Sequence, residues 1–252
     1  MAGSTYQITT WSILHSGERS QDAQLGIRQM PEMLTPSSRY CTHVLAMSKN
    51  QKSCIKGERL ICMEIGSIVY PLIPLSEFFN DVTMLEFNDI CIKELEKWIN
   101  THDAAHDWSH MFNEEWKKRE EKVKTLIKRI LKYDLTKENP TDPVVLPKVD
   151  CIFIGCCLEI ISKTHDDVLT MLKKVSRWLT PGGHLIMYVV LNASYFTVGE
   201  HHFHILKLDE AFISKALRDI GYKIETIDLE ERKSNHGAVS YDHFALIIAV
   251  MQ

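Results

Sequence analysis

The feature that most constrains this chain is a series of short apolar runs, several closed by a glycine or an acidic residue and separated by amphipathic stretches. Leu60-Ile61-Cys62-Met63-Glu64-Ile65-Gly66 is one, Val82-Thr83-Met84-Leu85-Glu86-Phe87 another, and Asp150-Cys151-Ile152-Phe153-Ile154-Gly155 a third. Unbroken apolar runs of this length suit parallel strands buried on both faces, and the stretches between them are long enough for crossover helices. The pattern predicts an α/β fold with a doubly wound, mostly parallel sheet, whose ligands bind beyond the carboxyl ends of the strands.

The intervening stretches carry helix signals. Asn88 or Asp89 can cap a helix with Ile92, Leu95 and Ile99 inward. A second helix is expected from Glu114 to about Lys132, with Trp116, Val123, Ile127 and Ile130 on one stripe and a solvated charged face opposite. Thr164-x-x-Asp167 resembles a capping box before Val168, Leu169, Leu172 and Val175. Leu179-Thr180-Pro181-Gly182-Gly183 stops that helix, and a strand is expected from His184 to Leu191. Phe212, Ile213, Ala216, Leu217 and Ile220 mark a last helix ended by Gly221. Strands at 223–229 and 243–250 follow, joined by a polar loop over 230–241, so the last strand is expected to run antiparallel at or near an edge.

At 252 residues, with 45% hydrophobic and 25% charged residues, the chain is expected to form one domain: a divergent amino-terminal cap over 1–56 and an α/β core over 57–252. Its net charge of −4 argues against a nucleic-acid surface. The seven cysteines are odd in number and show no Cys-x-x-Cys spacing, which reads as reduced cytoplasmic thiols. No apolar run approaches the roughly 20 residues of a membrane-spanning helix, so neither membrane insertion nor secretion is expected. No metal site is expected either: His102, His106 and His110 step by four but read as a solvated helix end. Cys156 and Cys157 alternate faces and cannot form a joint site.

Ordered motifs then give a resemblance. Glu94-Leu95-Glu96-Lys97-Trp98, Asp107-Trp108-Ser109, Leu131-Lys132-Tyr133-Asp134-Leu135-Thr136 and Leu146-Pro147-Lys148-Val149-Asp150-Cys151 occur in this order. Leu179-Thr180-Pro181-Gly182-Gly183-His184-Leu185 and Ser194-Tyr195-Phe196-Thr197-Val198-Gly199-Glu200 continue the series. Together they resemble the small-molecule amine N-methyltransferases that act on nicotinamide, phenylethanolamine and indolethylamine. The resemblance implies a class I methyltransferase fold, with a seven-stranded, mostly parallel sheet and an antiparallel last strand. It implies S-adenosyl-L-methionine as cofactor and a small amine or nitrogen heterocycle as substrate, in a cytoplasmic monomer.

By the same resemblance Gly66, Ser67 and Tyr70 lie beside the cofactor, Glu86 accepts from the ribose hydroxyls, and Asp134-Leu135 hold the adenine, with Gly155-Cys156 at the crevice. A solvated strand-end carboxylate is the other reading of Glu86, and a cap after the long helix the other reading of Asp134. Ser194, Tyr195 and His204 fall on the acceptor side; His201, His202 and His204 suit a proton acceptor at neutral pH, but plain loop histidines are the favoured reading. No catalytic residue is assigned, because in-line methyl transfer needs positioning and exclusion of water more than a triad.

The loop after the first apolar run departs from the family pattern by one glycine. Aligned without gaps from Gly57 to Tyr70, Glu64 stands at the first glycine; aligned on Glu64-Ile65-Gly66-Ser67, the loop is two residues shorter. The ungapped alignment needs only substitutions and is the reading taken. Cys91 replaces a cofactor-contacting asparagine, and Val189 a substrate-orienting aspartate. These departures keep open a second reading, a catalytically silent member serving as a binding or structural protein.

Overall fold

The computed structural model describes residues 55, 57–64, 69, 71–100, 114–198, 201–232 and 239–252, except the side chains of 114–118, 198, 201 and 202. Gly66, Ser67, Tyr70, the three spaced histidines and nearly all of the expected cap lie outside them.

The apolar runs form the centre of a seven-stranded sheet. Strand β1 (Arg59–Met63) pairs in parallel with β2 (Asp81–Glu86) on one side and β4 (Val149–Gly155) on the other. Each is buried over nearly its whole length, as strands covered on both faces must be. Strand β3 (Ile127–Lys132) lies at the edge beside β2, and β5 (Leu179–Leu191) runs parallel to β4. Antiparallel β10 (His243–Met251) sits between β5 and β8 (Tyr222–Glu231), giving the order β3-β2-β1-β4-β5-β10-β8. The last strand is thus antiparallel as expected, one place in from the edge.

The helices are short α1 (Leu72–Leu75), α2 (Asp89–Asn100), α3 (Glu114–Leu126), short α4 (Leu158–Ile161), α5 (His165–Ser176) and α6 (Glu210–Ile220). Asn88 Oδ1 accepts from Ile90 N–H at 2.8 Å to start α2. The buried stripe of α2 is Cys91, Leu95 and Trp98, rotated from the expected Ile92, Leu95 and Ile99. The capping box of α5 is complete: Thr164 Oγ1 accepts from Asp167 N–H at 3.2 Å, and Asp167 Oδ2 from Thr164 N–H at 2.8 Å. Gly221 ends α6 at φ +108°, a left-handed conformation that suits glycine.

Three expectations are corrected. The helix expected to reach Lys132 ends at Leu126, and residues 127–132 are strand β3, paired with β2 from Ile127 to Lys132. Ile127 and Ile130 fit a helical stripe, but pairing along β2 outweighs that local period. Strand β5 begins at Leu179 rather than His184, running through the Pro-Gly-Gly turn with a register shift against β4. The supposed loop over 230–241 is partly strand: β8 continues to Glu231, and β9 (Val239–Ser240) joins β6 (Tyr195–Val198) and β7 (His201–His204) in a second sheet of order β7-β6-β9.

Candidate active site

The order of connection reverses between β1 and β4, so the crevice expected of this fold opens at their carboxyl ends. Met63 pairs with Leu85 on one side and Ile154 on the other. One residue further along each strand, Glu86, Glu64 and Gly155 come level across the rim. Glu86 is buried, and its Oε1 accepts from Phe87 N–H at 2.8 Å and Asn88 N–H at 2.9 Å. It is therefore not a solvated strand-end carboxylate; it is fixed in the turn between β2 and α2.

Glu64 is also buried, and its carboxylate lies over Gly155. A methyl group built on Gly155 would come 2.1 Å from Glu64 Oε1 and 2.3 Å from its Cδ. Only a glycine at the end of β4 leaves room for that side chain. The carboxylate thus occupies part of the crevice at the switch point.

Beyond β3 the chain passes through Tyr133, Asp134 and Leu135. Asp134 follows a strand rather than a helix, which removes its reading as a helix cap. Its Oδ1 accepts from Thr136 N–H at 2.9 Å and from Thr136 Oγ1 at 2.6 Å. The loop is tied to the end of α5 by Lys174 Nζ, which donates to the carbonyls of Leu135 at 2.8 Å, Thr136 at 3.3 Å and Lys137 at 2.8 Å. An ammonium has three donors, and all three are used. Cys156 adopts φ +43° and donates its N–H to Tyr188 O at 2.7 Å, which bends the chain out of β4 toward α4. Burial raises the thiols of Cys156 and Cys157 well above the ordinary range, with Glu159 and Glu64 adding to it, so both stay protonated and poorly nucleophilic.

On the acceptor side, Tyr195 pairs directly with His204 across β6 and β7, and with Ser240 across β6 and β9. Ser194 Oγ donates to Ser240 Oγ at 3.1 Å, so Ser194, Tyr195 and His204 gather on the small sheet. Val189 is buried inside β5 opposite Ala245.

A carboxylate absent from the sequence reading stands nearby. Glu159, on α4, is buried and its Oε1 accepts from Val190 N–H at 3.1 Å. Its backbone carbonyl accepts from Leu206 N–H at 2.8 Å, just after β7, so it links the crevice to the small sheet. Burial pushes its carboxyl up to about 7, against the opposing hydrogen bond from Val190. A lone acidic residue in the apolar stretch directly after β4 was the available signal. Among the described residues, no group of three or more His, Cys, Asp and Glu is placed to hold a metal ion.

The model of the NNMT/PNMT/TEMT family matches residues 29–251. Indolethylamine N-methyltransferase of Oryctolagus cuniculus is 31% identical over 182 residues, covering 69% of each chain. Human nicotinamide N-methyltransferase is 29% identical over 184 residues, covering 69% of this chain and 70% of its own. Among solved structures, a SAM-dependent methyltransferase from Methanosarcina mazei superposes with a TM-score of 0.55 at 14% identity, over 78% of this chain and 93% of its own. DhpI in complex with SAH gives 0.56 at 15% identity, over 92% and 95%. At such identities these two structures speak for the fold alone.

Proposed function

The chain belongs to the NNMT/PNMT/TEMT family and is an S-adenosylmethionine-dependent methyltransferase; from that premise we propose that it methylates the nitrogen of a small amine or nitrogen heterocycle. The observation that carries the reading is the match over residues 29–251 joined to an acidic crevice at the switch point. The residues there fit the cofactor chemically. Glu86 and Glu159 are buried acidic groups around one crevice, which suits a ligand with a cationic sulfur and ribose hydroxyls, whereas Glu64 takes up part of the same space. Nothing in the comparisons supports a silent member.

When bound, S-adenosylmethionine supplies an electrophilic methyl group on positively charged sulfur. Glu86 is the acceptor for the ribose hydroxyls, held in place by the two backbone N–H groups of its own turn. Asp134 and Leu135 bound the adenine, in a loop held by Lys174. Gly155 and Cys156 form the crevice wall, and Gly66, Ser67 and Tyr70 are assigned to the same site from the resemblance. Ser194, Tyr195 and His204 border the acceptor.

Primary and secondary amines attack as neutral bases, and their products shed a proton. Among the described residues Glu159, buried just beyond β4 with its carboxyl pushed up to about 7, is suited to take that proton, while a pyridine-type nitrogen needs none. The chain is assigned to the cytoplasm, as a single domain and a monomer; among the described residues no helix is long and apolar enough to cross a membrane.

The test is calorimetric titration with S-adenosylhomocysteine, followed by methyl transfer from labelled S-adenosylmethionine to nicotinamide, tryptamine and phenylethanolamine. Micromolar binding with transfer to at least one amine is expected. No heat up to millimolar ligand would overturn the reading.

A further inference from the structure

Tyr133 is a buried side chain to which nothing above assigns a role. It follows edge strand β3, is 3% exposed, and its hydroxyl has no hydrogen-bond partner among the described residues. Buried hydroxyls without a partner are rare, and phenylalanine would pack the same space without leaving a polar atom unmatched.

The surroundings place the residue at the end of β2. Tyr133 N–H donates to Glu86 O at 3.2 Å, and its ring meets Phe87 edge-on, with centroids 5.9 Å apart. Tyr133 therefore stands beside the carboxyl end of β2, next to Glu86 and Phe87. Burial above all opposes ionisation of the phenol, and the carboxylates of Glu86 and Glu64 add to it. The same environment keeps the phenol protonated at neutral pH, so it is an O–H donor lacking an acceptor, at the lip of the crevice.

We propose that the Tyr133 hydroxyl is a cofactor-binding group that donates a hydrogen bond to the nucleoside half of S-adenosylmethionine. This rests on the methyltransferase reading. The nucleoside half is singled out because Tyr133 is bonded through its backbone to Glu86, the ribose acceptor, on the β2–β3 side of the crevice. The opposite side, between β1 and β4, is taken by the Glu64 carboxylate over Gly155.

The experiment compares the parent with Tyr133→Phe, a change that removes one oxygen and keeps the ring. Calorimetry is run with S-adenosylhomocysteine and with 5′-methylthioadenosine, which lacks the amino-acid tail, and thermal unfolding is measured without ligand. Both ligands should bind about tenfold more weakly to the variant, with a melting temperature equal to or above the parent's. Unchanged affinity for both ligands overturns the inference alone. So does a loss confined to S-adenosylhomocysteine, which would put the contact on the tail, or a lower melting temperature, which would make the hydroxyl structural. A parent that binds neither ligand overturns the methyltransferase reading and this inference together.

Discussion

The place of Glu86 at the end of β2 was legible because a strand-end acidic residue follows from the βαβ pattern; what the sequence could not show is that its carboxylate caps the turn, accepting from Phe87 and Asn88 N–H. The proposed ribose contact and the turn cap separate by substitution. Glu86→Gln keeps an acceptor for the turn but removes the charge, so it should weaken S-adenosylhomocysteine binding by about 1–2 kcal/mol with little change in melting temperature. Glu86→Ala should lose both affinity and about 1 kcal/mol of stability. Calorimetry and thermal unfolding on the pair check this, and equal affinity of Gln variant and parent would refute the ribose contact. Glu159 was not legible, since its partner Val190 is 31 residues away and its burial exists only in the folded sheet. Burial raises its carboxyl from 4.5 to about 7, so the folded chain keeps a proton that the unfolded chain has released. Its stabilising contribution is therefore complete below the unfolded value and is lost as pH rises through the folded one. The loss should be on the order of 3 kcal/mol between pH 5 and 8. Urea unfolding of parent and Glu159→Gln across that range checks the sign; identical pH slopes in the two proteins would refute it.

Among elements, those with end signals were readable and those without were not. Helix α5 carries Thr164 and Asp167 at one end, and α6 carries Gly221 at the other, and both formed where the sequence puts them. Strand β3 was hidden because Val123, Ile127 and Ile130 continue a helical spacing with no glycine or proline between them. Its formation depends on β2, which supplies the pairing partners and sets Asp81 against Arg129 at 3.2 Å. The strand's position matters because Tyr133, Asp134 and Leu135 follow its carboxyl end, where the proposed cofactor site needs them. Helix α5 then holds that loop through Lys174, a residue that touches no proposed ligand. Lys174→Met keeps the apolar stem but removes three hydrogen bonds to the loop carbonyls. The expected result is faster amide exchange over residues 135–137 and a several-fold weaker affinity for S-adenosylhomocysteine. Faster exchange with unchanged affinity would mean that Asp134 and Leu135 do not bound the adenine.

For the whole molecule, the parallel core and the antiparallel last strand followed from apolar runs and from the absence of a helix between the last two, features that precede any long-range contact. What fills the crevice did not follow, because it depends on two strands meeting. Glu64 and Gly155 are 91 positions apart, and only the pairing of β1 with β4 brings the carboxylate over the glycine. That contact makes a coupled prediction. In Gly155→Ala the new methyl falls 2.1 to 2.5 Å from the three carboxyl atoms of Glu64, so the buried side chain must move. The single variant should lose on the order of 1–3 kcal/mol of stability. In a Glu64→Gly background the same methyl meets none of those atoms, so a double-mutant cycle should show coupling of at least about 1 kcal/mol. The ligand responds in the opposite sense. Removing the Glu64 carboxylate clears the space beside Gly155 and removes its repulsion of the cofactor's own carboxylate, strong where water is excluded. Glu64→Gly should therefore bind S-adenosylhomocysteine at least about tenfold more tightly, or ~1.4 kcal/mol, and adding Gly155→Ala should take part of that gain away. A Glu64→Gly protein that binds no better than the parent would show that cofactor and carboxylate never compete for this space.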